Sequence, residues 1–356
     1  MSQSVRLLEG ITQRVIDTDR LRTAVLERAA DDPATAPERT VVLIHGNVSS
    51  AAFWQETMLS LPEDLRVIAL DLRGFGASQT LPVDATRGVC DYSDDIASAL
   101  DAMGIRTAHL VGWSMGGGVV MQFALDHPVL SLTLQAPVSP YGFGGTRRDG
   151  TRLNDDDSGC GGGGANPDFV ERLASGDTSA EEPTSPRSVF RQGYVAAGYA
   201  SDLEDLWVAS MLTTAVAPGN YPGDSGPSEH WPGFGAGTTG VLNTMTPGHF
   251  DVSGIVGLET KPPVLWIHGE ADAIVSDESL FDLNHLGALG AIPGWPGADA
   301  APAQPMVSQT RDVLEAYRAS GGQVTEVALP GVGHSPHLEA PEEFRDALVQ
   351  LIDATR

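Results

Sequence analysis

One serine lies between two glycines in a pattern that suits a nucleophile. The run Gly112-Trp113-Ser114-Met115-Gly116 has the form G-x-S-x-G, and it joins an apolar strand-like segment to a segment with helical spacing. Glycines are needed on both sides of such a sharp turn because side chains there would collide with neighbouring backbone. The turn raises the hydroxyl above the sheet, and Ser114 is therefore the candidate nucleophile.

A histidine has to accept the proton of this serine, because a hydroxyl is a weak nucleophile at neutral pH. Nine histidines are present. His334 lies between the last predicted strand and the last predicted helix, so its loop opens at the sheet edge that carries Ser114. His337, three residues further on, is the alternative base.

The imidazole in turn needs a carboxylate that holds one tautomer and balances the developing positive charge. Asp272 follows the penultimate predicted strand and precedes His334 in the chain. Its neighbours Glu270 and Asp277 are alternatives. Three groups of this kind, brought to one sheet edge, would perform acyl transfer through a covalent intermediate.

Acyl transfer also creates an oxyanion, and the loss of one donor to such an anion costs about 3 kcal/mol. We expect two backbone amides to serve it. Met115 provides the first, because it follows Ser114 and begins a helix. The second should come from the loop after residues 41–44, where we assign it to Asn47.

Short apolar runs alternate with helical stretches and predict an α/β fold with a parallel sheet. An antiparallel hairpin, Ile11–Thr18 with Arg20–Glu27, precedes them, and residues 31–37 form a polar loop. The apolar runs are Val41–Ile44, Val67–Leu70, His109–Val111, Leu132–Leu134, Pro263–His268 and Val324–Leu329. The predicted helices are Asp94–Met103, Val119–Asp126 and Pro341–Ala354.

The pattern of strands and helices is interrupted after Pro137. Residues 138–258 are rich in glycine, with predicted helices Val189–Tyr199 and Leu203–Thr213, and we interpret them as an inserted cap. A flexible linker is the alternative for the glycine run 159–164. Residues 1–137 and 259–356 then form the core domain, with a second insertion, Leu286–Pro305, as an irregular surface loop.

The charge of the chain argues against several partners. Its net charge of −26 would repel nucleic acid and anionic lipid surfaces. No apolar run approaches the length of about 20 residues that spans a bilayer, and residues 1–6 lack a secretory signal. We expect a cytoplasmic protein with a small-molecule substrate, two unpaired cysteines (Cys90 and Cys160) and, as an open question, a homo-oligomeric state.

These motifs resemble the α/β-hydrolase superfamily. The matching segments are residues 43–47, 71–78, 112–116, 268–272 and 333–339. The resemblance implies an eight-stranded, mostly parallel sheet flanked by helices, a large cap after the sixth strand, and neither a metal nor an organic cofactor. It also implies the order Ser114, Asp272, His334 for the catalytic residues, and it favours His334 over His337.

Departures from individual families narrow the expected reaction. The loop after His45 is similar to that of haloalkane dehalogenases, but those enzymes and epoxide hydrolases use an aspartate where Ser114 stands. We expect a serine hydrolase that cleaves a carboxylic ester or lactone. The alternatives are C–C bond hydrolysis or cofactor-free perhydrolysis on the same residues, or a non-catalytic ligand receptor.

Overall fold

A computed structural model describes residues 5–28 and 39–355 of the chain. Its strands are β1 (Thr12–Asp17), β2 (Arg22–Arg28), β3 (Thr40–Ile44), β4 (Arg66–Leu70), β5 (His109–Trp113), β6 (Ser131–Gln135), β7 (Ser225–Pro227), β8 (Phe234–Ala236), β9 (Val264–Gly269) and β10 (Val324–Leu329). Its helices are α1 (Gln55–Ser60), α2 (Cys90–Ala102), α3 (Met115–Asp126), α4 (Pro167–Ser175), α5 (Pro186–Val189), α6 (Glu204–Met211), α7 (Leu283–Ala288), α8 (Met306–Ala319), α9 (Pro336–Glu339) and α10 (Pro341–Ala354).

Eight of these strands form one sheet in the order β1-β2-β4-β3-β5-β6-β9-β10. The hairpin of β1 and β2 is antiparallel, and β2 also pairs antiparallel with β4. The other strands of this sheet, which are β4, β3, β5, β6, β9 and β10, are parallel to one another. Strands β7 and β8 pair antiparallel in a separate sheet. The expected eight-stranded, mostly parallel sheet is therefore confirmed.

Burial explains why the central strands have continuous apolar runs. Every residue of β3, β5, β6 and β9 is buried, because helices cover both faces of the sheet. The edge strand β10 is partly exposed along its length. All six predicted apolar runs overlap strands of this sheet, and the predicted helix at Pro341–Ala354 is found with the same bounds.

The sheet is interrupted between β6 and β9 by a long inserted region, residues 136–263, which contains α4, α5, α6, β7 and β8. Its glycine run is bonded to the rest of the insert: Gly161 N–H donates to the Phe143 carbonyl at 3.1 Å. Gly162 N–H donates to Cys160 Sγ at 3.2 Å. These bonds favour an ordered segment over a flexible linker.

Several predicted boundaries are wrong. The helix expected over Val189–Tyr199 begins earlier and ends earlier: α5 ends at Val189, a π-helical turn continues it over Phe190–Tyr194, and Val195 is extended. Gly193 lowers the helix propensity of this stretch, and the extended residue lets the backbone of Ala196 contact the core. The helix expected to begin at Asp94 begins at Cys90.

The second insertion is more ordered than the sequence indicates. Its first residues belong to α7, and Gln304 near its end is fully buried. Gln304 Nε2 donates to the Gly142 carbonyl at 3.1 Å and to Gln309 Oε1 at 2.6 Å. Both cysteines are free, as expected. The predicted polar loop at 31–37 lies outside the described residues.

Candidate active site

Ser114 occupies a strained turn at the carboxyl end of β5. Its φ of 58° and ψ of −122° lie in a region that residues other than glycine rarely adopt. A Cβ at Gly112 would lie 2.2 Å from the Gly116 carbonyl oxygen, and a Cβ at Gly116 would lie 2.5 Å from the carbonyl oxygens of Ile44 and His45. The glycines are therefore required by close backbone packing, as the sequence pattern predicts.

His334 and Asp272 are hydrogen bonded and buried at the same edge of the sheet. The distance from His334 Nδ1 to Asp272 Oδ2 is 2.8 Å. The other oxygen, Asp272 Oδ1, accepts from the backbone amides of Ile274 at 2.7 Å and Val275 at 3.0 Å. A carboxylate only accepts, so Nδ1 carries the proton and Nε2 is left as the basic nitrogen.

The loop of His334 contacts the turn that carries Ser114. The indole N–H of Trp113 donates to the His334 carbonyl at 2.8 Å, and the two rings lie 5.6 Å apart. Within the described residues, the hydroxyl of Ser114 is not hydrogen bonded to His334. Such bonds are often long in unliganded enzymes and shorten when substrate binds.

The loop after β3 lies beside Ser114, as expected for an oxyanion site. A Cβ at Gly46 would lie 2.9 Å from the Cβ of Ser114. The Gly46 carbonyl accepts from His45 Nδ1 at 2.7 Å and from Ser49 Oγ at 2.8 Å. Because N–H and C=O point in opposite directions across a trans peptide, these bonds turn the amide of Asn47 away from His45 and Ser49.

His45 is held in one neutral tautomer. Its Nε2 accepts from the Leu72 amide at 3.0 Å, so the proton is on Nδ1, which donates to Gly46. Complete burial lowers the pKa of His45 to about 4. The sequence assigns His45 only to a strand end, and its role in orienting the loop depends on a contact with a residue 27 positions away.

Met115, the other predicted oxyanion donor, begins α3 directly after Ser114. The first amides of a helix have no partner within the helix and carry a partial positive charge. Met115 is fully buried. Its amide is therefore suited to an anion at the strained turn.

Glu339 supports the loop of His334, a role that the sequence motif over residues 333–339 does not indicate. Its carboxylate accepts from the amide of Gly333 at 3.0 Å and from the amide of Ser335 at 3.2 Å. These two residues flank His334. The spacing of five residues between His334 and Glu339 was visible in the sequence, but the bonds were not.

His337, the alternative base, has different partners. Its Nδ1 lies 2.7 Å from Gln135 Nε2, and its ring packs 4.4 Å from that of Trp54. Burial, with repulsion from His334, lowers the pKa of His337 to about 3. The structure therefore pairs Asp272 with His334 and encloses His337 among other side chains.

The lowered pKa of His337 makes a prediction about stability. The unfolded chain binds a proton at His337 below about pH 6.5, whereas the folded chain does so only near pH 3. This contribution to stability is present above about pH 6.5 and is lost as the pH falls. We expect the free energy of unfolding, measured in urea, to be lower at pH 4.5 than at pH 7. In His337→Asn this decrease should be roughly 2 kcal/mol smaller than in the wild type.

Two buried carboxyls have the opposite effect on the pH dependence of stability, but they do not affect the comparison of His337→Asn with the wild type. Burial raises the pKa of Asp71 and of Asp282 to about 6, so their contribution is present at low pH and lost as the pH rises. Both groups are present in the wild type and in the variant. An equal fall in stability for the two proteins would contradict the role given to His337.

Four ring-bearing side chains of the inserted region contact mainly the insertions. Trp231 Nε1 donates to the Pro293 carbonyl at 2.9 Å. Tyr221 is buried with its ring 6.3 Å from Phe169, and a Cβ at Gly164 would lie 3.1 Å from the ring of Phe234. His249 Nδ1 lies 3.2 Å from the Asn243 carbonyl. These contacts favour packing within the insertions.

Residues 5–28 and 39–355 contain no group of three His, Cys, Asp or Glu side chains that could hold a metal ion. Over the same ranges, no helix has both the length and the apolar character that a bilayer crossing needs.

Comparison by sequence matches one part of the chain to a known fold family. Residues 39–158 match the family model of the α/β hydrolase fold. One relative is the dihydrolipoyllysine-residue acetyltransferase component of the acetoin cleaving system of Cupriavidus necator. It is 42% identical over 107 residues, which are 30% of this chain and 27% of that protein. A provisionally named carbamate hydrolase of Variovorax paradoxus is 43% identical over 102 residues, or 28% of this chain and 38% of that protein. The matches thus span about a third of these relatives.

Comparison by structure extends the likeness to the whole chain. An esterase of Exiguobacterium antarcticum superposes with a TM-score of 0.58, at 15% identity, over 96% of this chain and 100% of that one. At this identity the likeness concerns the fold alone. The matched model over residues 39–158 and the common architecture show that this chain has the α/β-hydrolase fold.

Proposed function

We propose that this chain is a serine hydrolase that cleaves a carboxylic ester or lactone of a small organic molecule through an acyl-enzyme on Ser114. The observation that carries the proposal is the buried bond of 2.8 Å between His334 and Asp272 beside a serine held at φ 58°. A strained serine persists only where the surrounding structure enforces it, and such strain is concentrated at functional sites.

In this mechanism His334 acts first as a base and then as an acid. Nε2 takes the proton of Ser114 while Oγ forms a bond to the acyl carbon, and the same proton is then given to the leaving alcohol. Water gives a proton to His334 and adds to the acyl carbon; the bond to Ser114 Oγ then breaks, Oγ takes the proton back from His334, and the acid is released. Asp272 remains ionised and stabilises the imidazolium that forms in both steps.

The oxyanion of each tetrahedral intermediate would bind the amides of Met115 and Asn47. Both loops begin at neighbouring parallel strands, since β3 pairs with β5. Donors that are already oriented need no reorganisation during the reaction, which is why they stabilise the transition state more than water does.

We further propose that residues 138–258 cap the site and select the substrate, over a core of residues 1–137 and 259–356. The acidic surface argues against nucleic acid and anionic membranes as partners. A non-catalytic receptor would not need a nucleophile, a base and a carboxylate together.

A second candidate reaction is hydrolysis of a carbamate. The observation in its favour is the name of the Variovorax paradoxus relative, which is provisionally called a carbamate hydrolase. Carbamates and esters present the same acyl carbon to a serine, so the residues assigned above would serve either substrate. C–C bond hydrolysis and perhydrolysis are further reactions open to the same residues.

A panel of substrates tests the proposal. It should contain 4-nitrophenyl esters of graded acyl length, aliphatic lactones, aryl carbamates and a vinylogous diketone. We expect turnover of esters or lactones. With activated 4-nitrophenyl esters, whose acyl-enzyme forms faster than it is hydrolysed, we expect a rapid first phase equal to one product per active site. Turnover of the diketone or the carbamates alone would contradict the ester assignment, and no turnover of any substrate would contradict the hydrolase.

A further inference from the structure

The inserted region bonds directly to both loops that form the candidate active site. Tyr194, in the turn after α5, donates from its hydroxyl to the Asn47 carbonyl at 2.8 Å, with the Val48 carbonyl 3.2 Å away. Two residues later, Ala196 N–H donates to Glu339 Oε2 at 2.7 Å. One short segment of the insert therefore reaches the loop of Asn47 and the loop of His334.

The bond from Tyr194 completes the restraint on Asn47. The peptide before Asn47 is fixed through the Gly46 carbonyl, which accepts from His45 and Ser49. The peptide after Asn47 is fixed through its own carbonyl, which accepts from Tyr194. With both peptides held, the backbone angles of Asn47 and the direction of its N–H are determined.

The loop needs this restraint because its backbone is strained. Val48, the next residue, has a φ of 44°, which is unfavourable for a β-branched residue. Strain of this kind persists only when neighbouring contacts enforce it. Asn47 Oδ1 accepts from the Val48 amide at 2.9 Å, and Tyr194 supplies a contact from outside the loop to the carbonyl next to the strained residue.

Tyr194 is also packed against the histidine of the site. Its ring lies 6.2 Å from that of His334 and 5.7 Å from that of Trp113, both in edge-on arrangements. The side chain is buried. Burial raises the pKa of Tyr194, so the phenol remains protonated and able to donate.

We propose that Tyr194 is a positioning residue: its hydroxyl holds the loop of Asn47 in the geometry that stabilises the oxyanion, so that docking of the insert completes the active site. The inference rests on the proposed function. On the other side of the site, the bond from Ala196 to Glu339 makes the position of the His334 loop depend on docking of the insert as well.

Tyr194→Phe tests this role, because it removes the hydroxyl and keeps the ring. The probes are the best 4-nitrophenyl ester of the panel and a fluorophosphonate. When Ser114 Oγ attacks the phosphorus of the fluorophosphonate and displaces fluoride, negative charge also develops on the phosphoryl oxygen. We expect kcat and the rate of phosphonylation to fall by about tenfold, with KM changed by less than about twofold. Rates are expressed per titrated active site, so that unfolded protein does not contribute.

Tyr317→Phe is the matched control. The hydroxyl of Tyr317 is also buried and donates to a backbone carbonyl, that of Pro262, at 2.7 Å. It lies in α8, outside the site. The control should lower the melting temperature as Tyr194→Phe does, but should leave kcat and the rate of phosphonylation within about twofold of wild type.

Glu339→Gln provides a second test if Tyr194→Phe folds poorly. Its amide group would face backbone N–H groups that now bond to a carboxylate, so kcat should again fall with little change in KM.

The inference is wrong if Tyr194→Phe, or Glu339→Gln in its place, keeps wild-type rates, or if Tyr317→Phe loses as much activity. Ser114→Ala separates this result from failure of the proposed function. If that variant is inactive while Tyr194→Phe is unaffected, only the positioning role fails. If Ser114→Ala retains activity, the proposed function fails as well.

Discussion

Ser114→Ala should lower kcat by about 10⁵-fold, because no group remains to form the acyl-enzyme. Alanine keeps the Cβ, so the backbone at φ 58° is no more strained than in the wild type. The hydroxyl makes no hydrogen bond within the described residues, and its loss should not destabilise the fold. The measurement is steady-state turnover of the best ester together with thermal unfolding.

Retention of more than about a hundredth of the wild-type rate by Ser114→Ala would identify a different nucleophile. A melting temperature equal to that of the wild type is the control, since it shows that lost activity does not reflect lost structure. The first phase of product release should also disappear in this variant.

Asp272→Asn should lower kcat by about 10⁴-fold with little change in structure. An amide can present its N–H₂ to His334 and stabilise the tautomer whose proton is on Nε2, which cannot then accept from Ser114. The amide also no longer balances the charge of the imidazolium. Steady-state kinetics of the purified variant measures the effect.

Asp277→Asn is the matched control for this substitution. Asp277 was an alternative carboxylate in the sequence, but its oxygens accept from the amide of Ser308 at 2.9 Å and from its hydroxyl at 2.6 Å. We expect Asp277→Asn to retain kcat within about threefold of wild type. Equal losses in the two variants would contradict the assignment of Asp272.

Much of the fold could be predicted because its signals are local. The apolar runs of β3, β5 and β9 predict strands buried on both faces, and residues 112–116 predict a sharp turn between a strand and a helix. Parallel strands bring their carboxyl ends to one edge. That rule alone indicated that the loops after β9 and β10 would meet, and their bond of 2.8 Å agrees with it.

The supporting contacts could not be predicted because they join distant parts of the chain. Tyr194 and Asn47 are 147 positions apart, and Ala196 and Glu339 are 143 apart. Tyr194 ends a π-helical turn, and Ala196 lies in the non-helical segment after it, where the sequence predicted that the helix would continue. The tautomer of His45 could not be predicted from the sequence either, because it depends on a bond from the amide of Leu72.

Mass mapping of the folded protein after reaction with a fluorophosphonate measures the reactivity of Ser114 most directly. We predict one adduct per chain, on the peptide that contains Ser114, and none when the protein is unfolded before the reagent is added. Modification of another residue, or an absence of modification in the folded protein, would contradict the proposal that His334 and Asp272 activate Ser114.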